Sequence, residues 1–191
     1  MIIYLHGFRS SAISIKAKQL GQYLAERQRS DEFWCEDLPI SPLSAIDRVS
    51  KVIHDCSTPP LIVGSSLGGY YATFLAERFD LNAVLINPAC HAADLLAPWV
   101  GPHQNLYTGE NFTLTPEHIQ ELRDFEVITL TKPERFWVLL ETGDDVLDYR
   151  TAVDVYHGAR ITIRQGGNHG LESFPEFVPE IVELASSNPL E

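Results

Sequence analysis

Short apolar runs rich in β-branched residues recur at Ile2–Leu5, Phe33–Asp37, Leu61–Gly64, Ala83–Ile86, Phe136–Leu140 and Arg160–Arg164, each bounded by turn-forming residues. Stretches with helical spacing separate most of them. Lys16–Arg27 carries Ala17, Leu20, Leu24 and Ala25 on one face, and Ser44–Ile53 opens on Ser44-x-x-Asp47, a pattern similar to a capping box. Ser173-x-x-Glu176 reads as a second capping box, ahead of a stripe formed by Phe174, Phe177, Val178, Ile181, Val182 and Ala185. Strand and helix alternating through short links predict an α/β fold with a mostly parallel, doubly wound sheet and helices on both faces, because parallel crossovers are right-handed. Ligands in such sheets bind beyond the carboxyl ends of the strands. Residues 91–135 break the alternation. They hold Pro98, Trp99, Pro102, Tyr107, Phe112 and Phe125, with a short helix from Thr115-Pro116-Glu117, and read as a cap-like insertion over the ligand-binding edge.

Within this pattern, Leu61-Ile62-Val63-Gly64-Ser65-Ser66-Leu67-Gly68-Gly69 is a buried strand, a Gly-x-Ser-x-Gly turn and the start of a helix. That is the context in which the motif forms a nucleophile elbow: the serine sits strained at the turn, and side chains two residues before and after it would collide where strand meets helix. Ser66 has glycine at both positions. Ser65 does not, since Val63 precedes it.

A serine hydroxyl needs a base, and in this architecture the chain order is serine, acid, histidine. Of the seven histidines, His169 stands in Gly166-Gly167-Asn168-His169-Gly170, a glycine-rich loop between the last strand and the last helix. It is the expected base. His157 reads as a helix C-cap, and His6 as a structural residue beneath its loop. For the acid, the segment after Phe136–Leu140 offers Asp144 and, one residue on, Asp145; Asp144 is the choice, and Asp148 is more simply the N-cap of the next helix. The backbone N–H groups of Phe8, in His6-Gly7-Phe8 after the first strand, and of Leu67 are the expected oxyanion donors. Trp99, Phe112 and Phe125 are candidate walls of an acyl pocket.

Composition narrows the possibilities. The 191 residues suffice for one core, so one domain spanning 1–191 is expected. A formal net charge of -12 argues against nucleic acid and anionic membrane surfaces as partners. Cys35, Cys56 and Cys90 lack both disulfide pairing and zinc-site spacing, so no metal is expected and the thiols read as reduced. Met1 runs straight into an apolar strand without a basic leader, and no apolar run approaches a membrane span; a cytoplasmic protein is the expectation.

Taken together, His6-Gly7-Phe8-x-Ser10-Ser11, Gly64-Ser65-Ser66-Leu67-Gly68-Gly69-Tyr70-Tyr71-Ala72-Thr73, Asn87-Pro88-Ala89, Tyr107-Thr108-Gly109, the Thr142–Arg150 segment and Gly166-Gly167-Asn168-His169 resemble the YqiA-like small bacterial esterases over nearly the whole chain. The resemblance implies a compact α/β-hydrolase fold acting on short acyl esters, with acyl-CoA thioesters as a further class, and no metal or organic cofactor. The expected chemistry is acyl transfer through a Ser-Asp-His triad and an acyl-enzyme. The alternative is a non-catalytic protein of the same fold that binds a small acyl ligand.

Overall fold

The computed structural model describes residues 1–187. Its main sheet contains β1 (Ile2–Leu5), β2 (Phe33–Trp34), β3 (Leu61–Ser65), β4 (Ala83–Ile86), β7 (Phe136–Glu141) and β8 (Arg160–Arg164), all parallel, in the order β2-β1-β3-β4-β7-β8. Strand β2 is shorter than its apolar run suggested. The chain leaves β1 toward β2 and returns on the other side as β3, so the direction of winding reverses between two neighbours whose carboxyl ends are aligned, Leu5 opposite Gly64. The groove above that reversal is where doubly wound sheets receive ligands.

Because successive side chains alternate across a strand, each face of the sheet acquires its own core. Ile3, Leu5, Ile62, Leu85 and Val138 pack with residues of α2 (Pro42–Asp55), α3 (Leu67–Phe79) and α6 (Tyr149–Val155). Ile2, Tyr4, Val63, Val84, Ile86 and Trp137 pack on the opposite face with α1 (Ile15–Ala25) and α7 (Phe174–Ser186). The inner strands β1, β3, β4 and β7 are buried on both sides, which explains their continuous apolar runs, while the edge strands β2 and β8 are partly exposed.

Two caps differ from expectation. Helix α2 starts at Pro42 with Ser41 as N-cap, its side chain accepting from the Ser44 N–H; proline at the first helical position presets the turn, so Ser44 lies already inside the helix. At α7, Ser173 precedes the helix but makes no cap bond; its hydroxyl donates instead to Glu141 at 2.7 Å, a buried carboxylate being the stronger acceptor.

The 91–135 segment contains α4 (Ala92–Leu96), an antiparallel hairpin of β5 (Gly101–Gln104) and β6 (Asn111–Leu114), and α5 (Pro116–Asp124). Thr115 caps α5 reciprocally with His118. The three thiols are free, Cys90 buried and the others half-buried. Among the described residues, no helix is long and apolar enough to cross a membrane.

Candidate active site

Ser66 joins β3 to α3 with φ 55° and ψ −119°, a conformation that costs a non-glycine residue of order 1–3 kcal/mol. The surroundings hold it there. Its N–H donates to the Ile86 carbonyl at 3.0 Å, and its own carbonyl accepts from Ala89 at 3.0 Å and Gly69 at 2.9 Å. The flanking glycines follow from the closeness of strand and helix: a Cβ on Gly64 would overlap the Gly68 backbone and come within 2.8 Å of Ala72 Cβ, and one on Gly68 would overlap the carbonyls of Leu5 and His6. A third glycine was not part of that motif. A Cβ on Gly7 would lie 3.1 Å from Ser66 Cβ, so Gly7 lets the loop after β1 run directly against the serine.

The Ser66 hydroxyl lies 3.0 Å from His169 Nε2, and His169 Nδ1 lies 2.8 Å from Asp144 Oδ2. With the carboxylate as acceptor, Nδ1 carries the proton and Nε2 is left to accept from the serine. Asp144 is almost wholly covered at its side chain, and its other oxygen accepts the N–H groups of Val146 and Leu147, both at 2.8 Å. Burial by itself pushes the Asp144 carboxyl up, but the bond from His169 and the two backbone donors outweigh it and hold the group below the usual carboxylate range. Asp145 is exposed, and it is Asp144 that faces the imidazole. Asp148 caps α6, and His157 falls in the turn after that helix.

The histidine loop is held by two residues to which the sequence analysis assigned no role. Glu141, buried at the end of β7, accepts from the N–H groups of Asn168, Glu172 and Ser173 at 2.8 to 3.0 Å as well as from the Ser173 hydroxyl. Its burial favours the neutral form, yet these donors keep its carboxyl below the ordinary value. Asn87, at the end of β4, donates to the carbonyls of Asn168 at 3.3 Å and His169 at 3.2 Å and accepts from the Glu141 N–H. A carboxylate closing an otherwise apolar strand was the signal that could have singled out Glu141.

On the other side of Ser66, the N–H groups of Phe8 and Leu67 have no hydrogen-bond partner among the described residues. His6 secures this loop. The Leu38 N–H donates to His6 Nε2 at 2.9 Å, so the proton resides on Nδ1, which donates to the Gly7 carbonyl at 2.9 Å; burial lowers the imidazole's pKa and keeps it neutral.

The hairpin of the insertion docks on the same loop. Asn105 donates to the Ser10 carbonyl at 2.7 Å, Leu106 N–H to the Arg9 carbonyl at 2.8 Å, and Phe8 meets His103 and Phe112 edge to face. Two cavities result. One, of about 470 Å³, opens on Ser66 and His169 and receives Leu106 and Tyr107 from the insertion; the other, of about 340 Å³, lies beside Phe8, Leu38, Leu67, Tyr71 and Phe112. Of the three aromatic residues expected as walls, only Phe112 lines either cavity. Trp99 is half exposed against His103, and Phe125 packs on Phe74 in the core, because the hairpin turn rather than the helices of the insertion reaches the site.

Residues 1–186 match the model of an uncharacterised protein family, UPF0227. The chain belongs to that family. A UPF0227 protein from Citrobacter koseri is 25% identical over 189 residues, covering 95% of this chain and 96% of its own. Among solved structures, Est1E from Butyrivibrio proteoclasticus with ferulic acid bound superposes with a TM-score of 0.69 at 14% identity, covering 98% of this chain and 89% of that one. A monoacylglycerol lipase from Paleococcus ferrophilus gives a TM-score of 0.69 at 15% identity over 95% of this chain and 93% of its own. At such identities the likeness speaks for the fold, which is that of the α/β-hydrolases.

Proposed function

We propose that this protein is a serine hydrolase of carboxylic esters, with Ser66 as nucleophile, His169 as general base and then acid, and Asp144 as the third member of the triad. The observation that carries the reading is the continuous line of hydrogen bonds from Asp144 through His169 to the Ser66 hydroxyl, beside the Phe8 and Leu67 N–H groups, which have no partner among the described residues. The fold shared with Est1E and with a monoacylglycerol lipase supports an ester as the bond attacked.

In the first step Ser66 Oγ attacks the acyl carbon while His169 Nε2 takes the hydroxyl proton. The carbonyl oxygen becomes an oxyanion and accepts from the N–H groups of Phe8 and Leu67; loss of one such donor costs about 3–4 kcal/mol of barrier in enzymes of this kind. Collapse of the tetrahedral intermediate breaks the bond to the alcohol oxygen, which leaves with the proton held by His169. Water then repeats the sequence on the acyl-enzyme and releases the acid. Asp144 remains ionised throughout, fixing the tautomer and stabilising the imidazolium.

The test is intact-mass measurement after exposure to a fluorophosphonate and to a panel of small acyl esters. The expected result is a single adduct and ester turnover, both abolished by Ser66→Ala. A folded protein that neither takes the label nor turns over any ester would favour a non-catalytic ligand binder. Rates on one acyl group carried by oxygen and by sulfur decide whether thioesters belong to the substrate range.

A further inference from the structure

The cavity that opens on Ser66 and His169 is lined by two cations, Arg9 and Lys16, in a chain whose net charge is -12. Most lysines and arginines of this protein have a carboxylate within 4.0 Å; among the described residues neither of these two does. Arg9 Nε donates to the Gln104 carbonyl at 3.1 Å, and Lys16 Nζ donates to the Gly170 carbonyl at 2.8 Å. Both are thereby anchored by neutral groups. Glu172, which lines the same cavity, is engaged by the Asn168 side chain at 2.6 Å.

Position determines which part of a substrate these cations would meet. Lys16 is tied to Gly170, the residue after the imidazole that must protonate the leaving oxygen, so the leaving group lies on the Lys16 side. Arg9 stands between this cavity and the second one, where Arg9 and Arg48 are matched in number by Asp37 and Glu110, so that cavity has no excess of cations and offers Leu38, Leu67, Tyr71 and Phe112 to an acyl group. We propose that the substrate's leaving group is anionic, an alcohol bearing a carboxylate or a phosphate, and that Lys16 binds the anion with Arg9 beside it. This inference rests on the esterase reading above.

Physical chemistry supports it in a second way. Burial pushes the Lys16 ammonium down to about 8 even though Glu141 and Asp144 pull it up. A half-buried cation with no carboxylate in direct contact is the state that a bound anion relieves. Because the protein as a whole repels anions, recognition has to be local.

The test uses butyrate esters of propanol, of hydroxypropanoate and of hydroxyethyl phosphate, together with the monopropyl ester of succinate, which carries its charge on the acyl side. The wild type is expected to favour the two anionic alcohols over propanol by about tenfold in kcat/KM, the scale of one charge-assisted hydrogen bond. Lys16→Gln should bring the ratio close to one, and Lys16→Glu should reverse it. In the wild type the preference fades as pH rises through about 8 and the ammonium loses its proton. Arg9, Tyr107, His169 and Glu172 line the same cavity, and the charges of Glu141 and Asp144 act on the ammonium from outside it, so Lys16→Arg serves as the control: it retains the preference and removes that pH dependence, because guanidinium stays charged. Circular dichroism verifies that each variant is folded.

A wild-type preference for propanol, a preference for charge on the succinyl side, or a ratio that survives Lys16→Gln overturns the proposal. Turnover of the propanol ester and fluorophosphonate labelling of Ser66, run on the same samples, separate the two levels. If both persist without an anionic preference, only this inference falls. If both are absent, the esterase reading falls and takes the inference with it.

Discussion

The serine turn and the histidine loop meet at 3.0 Å, yet they are built in opposite ways. The turn is specified chiefly by steric exclusion: Gly64 and Gly68 remove the side chains that would collide with each other's segment and with the end of β1, while Ile86 and Ala89 fix the amide and carbonyl of the strained Ser66. The loop around His169 has left-handed residues of its own, Gly166, Gly167 and Leu171, but its shape is set by acceptors and donors supplied from β4 and β7, in Asn87 and Glu141. One candidate site thus combines a serine placed by close steric packing with a histidine placed by buried polar partners distant in the chain. Local sterics fail abruptly when altered, whereas a hydrogen-bonded loop fails by degrees.

Substitutions that separate these two kinds of support follow from that contrast. The largest effect is expected at the acid: Asp144→Asn should lower kcat by roughly 10⁴, the scale known for loss of the correct imidazole tautomer, while Asp145→Asn should change it little; ester kinetics on both variants decide the pairing. Next comes the turn, where Gly68→Ala drives a Cβ into the Leu5 and His6 carbonyls and should destabilise by about 4 kcal/mol or more, read from the urea midpoint. Glu141→Gln presents an amide N–H to backbone donors and should cost about 2–3 kcal/mol, with kcat falling while fluorophosphonate labelling persists at a slower rate.

The smallest effect concerns pH. The folded-state pKa values of Glu141 and Asp144 are lowered, so each contributes stability that is present above the unfolded carboxylate value of about 4 and is lost as pH falls through the folded value. Urea midpoints measured from pH 7 to pH 3 should therefore decline, and less steeply in Glu141→Gln.

Much of the fold was legible because parallel strands buried on both faces have to be continuously apolar, and the elbow was legible because steric exclusion leaves glycines at fixed spacing. Ser66 and His169 could be singled out from motif and loop position, whereas Asp144 and Asp145 are adjacent in one loop and only the 2.8 Å contact with His169 separates them. The walls of the site could not. Trp99 and Phe125 were as plausible as Phe112 in one dimension, since aromatic composition does not say which segment of an insertion touches the sheet edge. Caps were also misjudged where a tertiary acceptor outcompeted a local one, as Glu141 does for Ser173.

By itself, then, the amino-acid order determined the layered architecture, the serine turn with its flanking glycines and the loop that carries His169, all of which depend on periodicity and short-range sterics. Only the tertiary structure decided that Glu141 and Asn87 hold the histidine loop, that the hairpin of the insertion seals against Phe8–Ser10, and that Arg9 and Lys16 face one cavity with the serine. Those relations arise from hydrogen bonds and packing between segments far apart in the chain, whose meeting has no signature in local pattern.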